Sequence, residues 1–288
     1  MLTGLALVMT ACGPPRRATI VVGSKNFTEQ LILGEMLAQI LAARTPLHVE
    51  RRFYLGGTFI CQQAMLAGRI NTYVEYTGTA LTAILKQPPR HNPKVVYQIV
   101  KKEYASRFHL DVLPPLGFNN TFVLVIRGQD ARRDHIRTIS QAVPYATHWR
   151  PGFGYEFMER ADGYQGLVKT YGLKFGAPPR IMDLGLLYRA LISRQVDIVA
   201  GNSTDGLLSK LDVVALKDNK HYFPPYQAVP IVREQTVREH PEVAQAIDAL
   251  AGKITNQEMR RLNYEVDGLH RSAGEVARRF LEAQHLIP

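Results

Sequence analysis

The stretch YVEYTGTA, Tyr73 to Ala80, reads as the end of a buried strand that runs into a ligand-facing turn. In the preceding GRINTYVEY, Ile70, Thr72, Val74 and Tyr76 repeat with a period of two, the spacing that puts side chains on one face of a strand. Gly78 breaks the strand, and Thr79 can cap the apolar run ALTAIL as a helix. Such a junction gathers a phenol ring, a carboxylate, hydroxyls and free helix-start N–H groups at one point. In an α/β protein, small ligands bind at such points.

Outward from this stretch the chain alternates. ATIVVGS and LHVERRFY read as strands, EQLILGEMLAQILAA after Thr28 as a helix, and GGTFICQQAMLAG as a turn and helix, which together predict parallel βαβ units. A helix is expected over Asn92 to Phe108 and a strand at LDVLPP. LGFNNTFVLVIR then carries a polar cluster into the apolar strand Phe122 to Ile126, so the chain first passes between domains near Asn120 to Val125. After a polar linker, Arg127 to Arg137, a smaller α/β unit has strands at PYATH, PRIMD and VDIVA and helices near GYEFMERA, YQGLVKTYG and LGLLYRALISR. LDVVALKDNKHYFPPYQAVPIVR supplies a strand, a Pro-punctuated loop and a strand for the return. The rest is helical from Glu234, with Thr255 and Glu258 spaced as a capping box.

At 288 residues, 46% hydrophobic and 21% charged, the chain suits one large globular domain or two ordinary ones. Its net charge of +10 comes from scattered pairs such as Arg51–Arg52 and Lys101–Lys102, without the aromatic-interleaved stripe of a nucleic-acid module. The excess charge suits a surface facing anionic lipid, or reflects the source organism. The apolar Leu2 to Met9, followed by Thr10, Ala11 and Cys12, has the pattern of a bacterial lipoprotein signal, with Cys12 lipidated and holding the protein outside the cytoplasmic membrane. No later stretch is apolar enough to span a bilayer. Cys61, the other cysteine, reads as a small apolar filler.

Three strand ends share one grammar. IVVGSKNFTEQ, YVEYTGTA and DIVAGNSTDG each pass from an apolar strand through Gly and hydroxyl or amide residues into a helix. One such loop is ordinary. Three suggest loops converging on one cleft. Around it stand Lys25 and Arg150 as cations, Glu75 and Asp205 as anions, amides including Asn26, Asn119, Asn120 and Asn202, and rings including Phe27, Tyr76, Phe118, Trp149 and Tyr226. Tyr73 and Glu75 point to the face opposite Tyr76, and Asp205 is placed to cap GLLSKL. The sequence has no nucleophile elbow, P-loop, H-E-x-x-H or C-x-x-C, and its nine His lack metal-ligand spacing.

GSKNFTEQLILGEML, YVEYTGTAL, GFNNTFVL, MDLGLLYRAL, STDG and HYFPPYQAVPIV, in this order, resemble the substrate-binding proteins of the OpuC/OsmF type, which serve ABC importers for glycine betaine, choline, carnitine and related osmoprotectants. The resemblance spans about residues 18 to 285. It implies an α/β, two-lobed type II periplasmic binding protein fold with two crossover strands. Lobe 1 takes 18–121 plus 222–288 and lobe 2 takes 122–221, after a signal and linker at 1–17. It further implies a monomeric, membrane-anchored extracytoplasmic receptor without metal or cofactor, which delivers its solute to an ABC permease and ATPase. In this family aromatic rings cage a quaternary ammonium, and Lys, Arg and Thr hold a carboxylate. By that resemblance Tyr76 and Tyr226 match cage rings and Lys25 and Thr79 match carboxylate contacts, with Arg150, or His148, as the second-lobe cation. Asn26, Phe118, Asn119 and Asn202 complete the expected ligand set. Phe118 stands where many relatives carry Tyr, and Asn202 where an aromatic is common, which leaves open another small zwitterion or amino-acid-like solute. An enzyme on the same scaffold is the remaining alternative.

Overall fold

The computed structural model describes residues 18–288, so Cys12 and the rest of 1–17 lie outside the described residues. The strands, in chain order, are β1 (Thr19–Gly23), β2 (His48–Arg52), β3 (Thr72–Tyr76), β4 (Leu110–Val112), β5 (Phe122–Arg127), β6 (Pro151–Phe153), β7 (Arg180–Ile181), β8 (Ile198–Asn202), β9 (Val213–Leu216) and β10 (Ala228–Arg233). They form two five-stranded sheets, ordered β2-β1-β3-β10-β4 and β7-β6-β8-β5-β9. Parallel pairs β1–β2, β1–β3, β6–β7 and β6–β8 follow the expected alternation. β10 and β5 run antiparallel to their neighbours, because each enters its sheet from the other lobe.

The chain passes between the lobes on two adjacent segments. Asn119 bridges Gln227 in antiparallel fashion, Asn120 N–H donates to Tyr226 O at 3.0 Å, and Ala228 N–H donates to Phe118 O at 3.2 Å. These bonds satisfy backbone groups that leave both sheets, so the passage is a short two-stranded strap.

In the first lobe, β3 is buried throughout because β1 and β10 flank it and helices cover its faces. Val74 and Tyr76 pack in one core layer with Ile20, Val22 and the helix Thr28–Arg44, while Tyr73 packs in another with Tyr104 and Val229. The period of two therefore holds from Thr72. Ile70 precedes the strand and joins the layer of Tyr73. The helix Thr28–Arg44 buries Ile32, Leu33, Met36, Leu37, Ile40 and Leu41 beneath the C-terminal helix Ala273–Ala283. Each side chain so buried stabilises by about 1.5–3 kcal/mol relative to exposure. Cys61 is a core filler whose thiol burial pushes up to about 12, which leaves it unreactive.

Two expectations for the second lobe need correction. PYATH is no strand: Pro144 to Ala146 finish the helix Ile139–Ala146, and the strand follows at Pro151–Phe153. Thr138 caps this helix through a full capping box with Gln141, so the helical start overrides the short β-like run. Nor is the segment from Arg127 a polar linker. Arg127 is a buried anchor that donates to Asp130 (2.6 Å), Asp197 (2.7 Å) and the carbonyls of Leu191 (2.9 Å) and Val196 (2.7 Å), with the helix Gly128–Arg133 following it. At the C-terminal end only half of the expected second capping box forms. Thr255 accepts from Glu258 N–H at 3.1 Å, while the Glu258 carboxylate turns to Arg261.

Arg127→Met should strand the carbonyls of Leu191 and Val196 inside the second lobe and leave Asp130 and Asp197 with only the more exposed Arg133 and Arg150 as partners. We expect a loss of about 3–5 kcal/mol, measured as a lower urea midpoint at unchanged slope; a midpoint within error of the parent would refute the anchoring role.

Candidate functional site

The three strand-end loops meet at a cavity of about 140 Å³ between the sheets. Lys25, Asn26 and Phe27 come from the end of β1, Tyr76 and Thr79 from the end of β3, and Ala200 and Asn202 from β8. The strap adds Asn120, Phe122 and Tyr226. A fourth junction, which the sequence reading missed, adds Gly154, Tyr155, Glu156, Phe157 and Arg160. It follows β6, so placing a strand at PYATH had hidden it. The apolar-Gly-polar pattern of PGFGYE was the available signal. A wider groove of about 860 Å³ lies against Asn119, Thr121, Pro225 and Gln227, which alternate with the strap residues that line the cavity.

Tyr76 shows how the wall is built. Its hydroxyl donates to Glu29 Oε1 at 2.6 Å and accepts from Gln30 Nε2 at 3.1 Å, so only its ring is left for a ligand. Phe27 stacks near it, centroids 6.4 Å apart, and Lys25 Nζ lies 5.1 Å from its ring centre. Glu29 is fully enclosed, and burial pushes its carboxyl above the usual range. Thr204, Tyr76, Asn263 and Asn120 oppose this by donating to it. Glu29 was not among the expected site residues.

The cations of the cavity arrive with their own partners. Lys25 is buried, not exposed beside a helix start: its Nζ donates to Glu75 Oε1 at 2.5 Å and to Thr58 Oγ1 at 2.8 Å. Glu75 also accepts from Tyr73 OH at 3.1 Å, so the face opposite Tyr76 is an ion-pair face. Arg160 donates from Nε and Nη2 to Asp162 at 2.9 and 2.6 Å, and its guanidinium lies 4.9 Å from the Phe122 ring centre and 5.7 Å from that of Tyr226. Burial pushes Asp162 up, but the Arg160 charge and its hydrogen bonds outweigh burial and hold the carboxyl below the usual range. Tyr226 donates to the same carboxylate at 2.5 Å, so its hydroxyl too is taken. Phe122 packs edge-on against Tyr226 and Phe157, with centroids at 5.8 and 5.0 Å. The result is a group of ring faces beside a Lys, an Arg and a Thr. Such a surface can enclose a cation that donates no hydrogen bond and bind an anion at its edge.

Other expected residues lie elsewhere. Arg150 is outside the cavity, its guanidinium clamped on Asp197 at 2.8 Å and on Arg194 O at 2.7 Å. His148 is exposed. Phe118 is buried in the hydrophobic core, and the aromatic that lines the cavity is Phe122. Asn119 ties the strap together, accepting from Tyr226 N–H at 2.6 Å and bonding Asn256. Trp149 stacks on Tyr145, centroids 6.3 Å apart, and does not line the cavity. Thr79 caps nothing: Tyr76 holds the N-cap position, and Thr79 sits in the first turn with its side chain at the cavity. Gly78 acts in the turn rather than as a breaker, since a Cβ there would meet Pro225 O at 2.7 Å and the Tyr226 ring. Asp205 does not cap the following turn. It accepts from Asn202 N–H and Tyr188 OH, both at 2.7 Å, and so fixes Asn202. Among the described residues no His, Cys, Asp and Glu group is placed to hold a metal ion.

Residues 18–283 match the family described as the substrate binding domain of ABC-type glycine betaine transport systems. The chain is 34% identical to the carnitine transport binding protein OpuCC of Listeria monocytogenes, across 96% of this chain and 92% of that protein. It is 36% identical to the ergothioneine transport permease/ergothioneine binding protein EgtU of Helicobacter pylori, across 91% of this chain and 47% of that longer protein. A crystal structure described as a glycine betaine/carnitine/choline ABC transporter superposes with a TM-score of 0.76 at 33% identity, covering 93% of this chain and 99% of that one.

The arrangement at Asp205 predicts a pH dependence. Burial pushes its carboxyl from 3.8 up to about 6, against the hydrogen bonds from Asn202 and Tyr188, and the charges of Glu29 and Asp267 add to the rise. A carboxyl with a folded pKa above its unfolded one takes up a proton on folding, so this group lowers stability as pH rises from about 4 to about 6, and the loss is complete above that. Asp205→Asn keeps an acceptor and removes the titration. Its urea midpoints should therefore fall less than the parent's across that window; parallel profiles would show that Asp205 contributes nothing.

Proposed function

This chain belongs to the family of substrate-binding domains of ABC-type glycine betaine transport systems, and from that premise we propose that its inter-lobe cavity receives a betaine-like quaternary amine or zwitterion for an ABC importer. The observation that carries the reading is the wall of Phe27, Tyr76, Phe122, Phe157 and Tyr226, in which both tyrosine hydroxyls are already bonded, to Glu29 and Asp162, so that ring faces are what remains. A trimethylammonium offers no hydrogen to share, and each ring face supplies about 0.5–2 kcal/mol. A volume of about 140 Å³ suits a small solute.

For the carboxylate end we propose Lys25, Thr79 and Arg160. Arg160 takes the role first given to Arg150, because it alone of the two lines the cavity. Asn26 and Asn202 are proposed as polar contacts that discriminate among ligands. The alternative, another small polar or amino-acid-like zwitterion, is favoured by one feature: the β8 end presents the Asn202 amide where a ring would complete the cage. We take the lobes as 18–121 with 222–288 and as 122–221. We propose a monomeric receptor working outside the cytoplasm with a permease and an ATPase subunit, anchored through lipidated Cys12.

Calorimetry with glycine betaine, choline, carnitine, proline betaine and ergothioneine tests the ligand class, and absence of heat from all five would sink it. Alanine at Tyr76 or Tyr226 is a poor probe, since either change also strips a donor from a buried carboxylate. Phe122→Leu removes a ring at similar volume and should weaken every quaternary amine about tenfold. Thr79→Val should weaken carboxylate-bearing ligands about tenfold and leave choline unchanged; equal losses for both classes would remove Thr79 from the carboxylate subsite.

A further inference from the structure

Glu156 lies on the short helix Tyr155–Glu159 after β6, and its carboxylate reaches across to the first lobe. One oxygen accepts from Thr58 N–H, at the start of the helix Thr58–Leu66, and the other accepts from Thr58 Oγ1 at 3.3 Å. That hydroxyl in turn accepts from Lys25 Nζ at 2.8 Å, and Lys25 pairs with Glu75. A line of polar contacts thus runs Glu75, Lys25, Thr58, Glu156, from β3 at the centre of the first sheet to the second lobe. Gly57 permits the approach. A Cβ there would fall 2.2 Å from Glu156 Oε1, yet its φ of −82° suits any residue, so glycine is present for space and not for backbone freedom.

The other side-chain links between the lobes gather at the strap, at the C-terminal helices, and at Glu29 of the helix Thr28–Arg44, which also accepts from Asn120 of the strap. Tyr226 of the strap holds Asp162, and the loop after β8 is held by Glu29, Asn263 and Arg260. A rotation about the strap can leave those links in place. Among the described residues neither Glu156 nor Thr58 bonds to a strap residue, so their contact is one that separation of the lobes would break.

We propose that Glu156 is the clasp of the closed lobes, a positioning residue that sets the ratio of closed to open protein and so scales the affinity of every cavity ligand by one common factor. A carboxylate bonded to a helix-start N–H and a hydroxyl gains from the helix dipole and from charge-assisted hydrogen bonds. Apparent affinity falls in proportion to the closed fraction. The ligand part of this inference rests on the cavity being the binding site.

The test uses the described chain with Glu156→Gln, which removes the charge, and Gly57→Ala, which keeps the carboxylate but wedges it off Thr58. Both should weaken glycine betaine, choline and carnitine by the same factor, about tenfold, with faster dissociation and an unliganded melting temperature within a few degrees of the parent. Small-angle X-ray scattering of the unliganded proteins should give a larger radius of gyration for both variants than for the parent. Unchanged affinity and scattering in Glu156→Gln would overturn the clasp. So would weakened binding in Glu156→Gln with parental binding in Gly57→Ala, since that pattern marks direct contact between carboxylate and ligand. If the parent binds none of the three solutes, the reading of the cavity fails, and scattering alone still decides the clasp.

Discussion

Glu29 is enclosed by protein, and among the described residues it makes no salt bridge, so its charge is held by neutral donors alone. Those donors come from four parts of the chain: Tyr76 from β3, Asn120 from the strap, Thr204 from the loop after β8, and Asn263 from a C-terminal helix. A buried carboxylate that loses a donor bears a desolvation penalty of about 1–3 kcal/mol or more. Each donor is therefore held at one distance and angle, and each brings its segment with it. Tyr76 is turned ring-first toward the cavity by this bond, and the β8 loop that carries Asn202 is fixed against the first lobe.

The same logic governs the charges that line the cavity. Lys25 is oriented by Glu75 and Thr58, and Arg160 by Asp162, before any solute arrives. Groups fixed in advance lose little conformational freedom when they engage a partner, which suits the solute-binding role proposed for this cavity. Buried ion pairs of this kind add little to fold stability by themselves. Their contribution lies in aiming charge and ring faces at a common point.

Much of the first lobe was legible in the sequence. Its strands alternate with helices at local spacing, and the junctions GSKNFTEQ and YVEYTGTA end on the same edge of the first sheet because β1 and β3 are parallel, while AGNSTDG, at the end of β8 in the second sheet, meets them at the cavity. The second lobe was less legible. PYATH has β-forming residues, but the capping box at Thr138 starts a helix that runs through it, and the true strand at Pro151–Phe153 has only three residues, too short for a pattern of period two. With that strand misplaced, Glu156, Phe157 and Arg160 had no junction to belong to, and the isolated Arg150 drew the role of second-lobe cation.

By itself the sequence determined the secondary-structure grammar, the absence of known catalytic signatures, and the residues Lys25, Asn26, Tyr76, Thr79, Asn202 and Tyr226 at the cavity. The strand ends and turns are local properties, set by periodicity and turn chemistry within a few residues, whereas Thr79 and Tyr226 were singled out by the family resemblance. Only the tertiary structure decided that Lys25 is paired to Glu75, that Arg160 and not Arg150 lines the cavity, that Phe118 is core while Phe122 is wall, and that Glu156 bridges the lobes. Each of these depends on partners far away in the chain: 50 residues separate Lys25 from Glu75, and 98 separate Thr58 from Glu156. Burial and charge pairing are set by what the fold brings near, and the residues flanking a side chain in sequence do not record it.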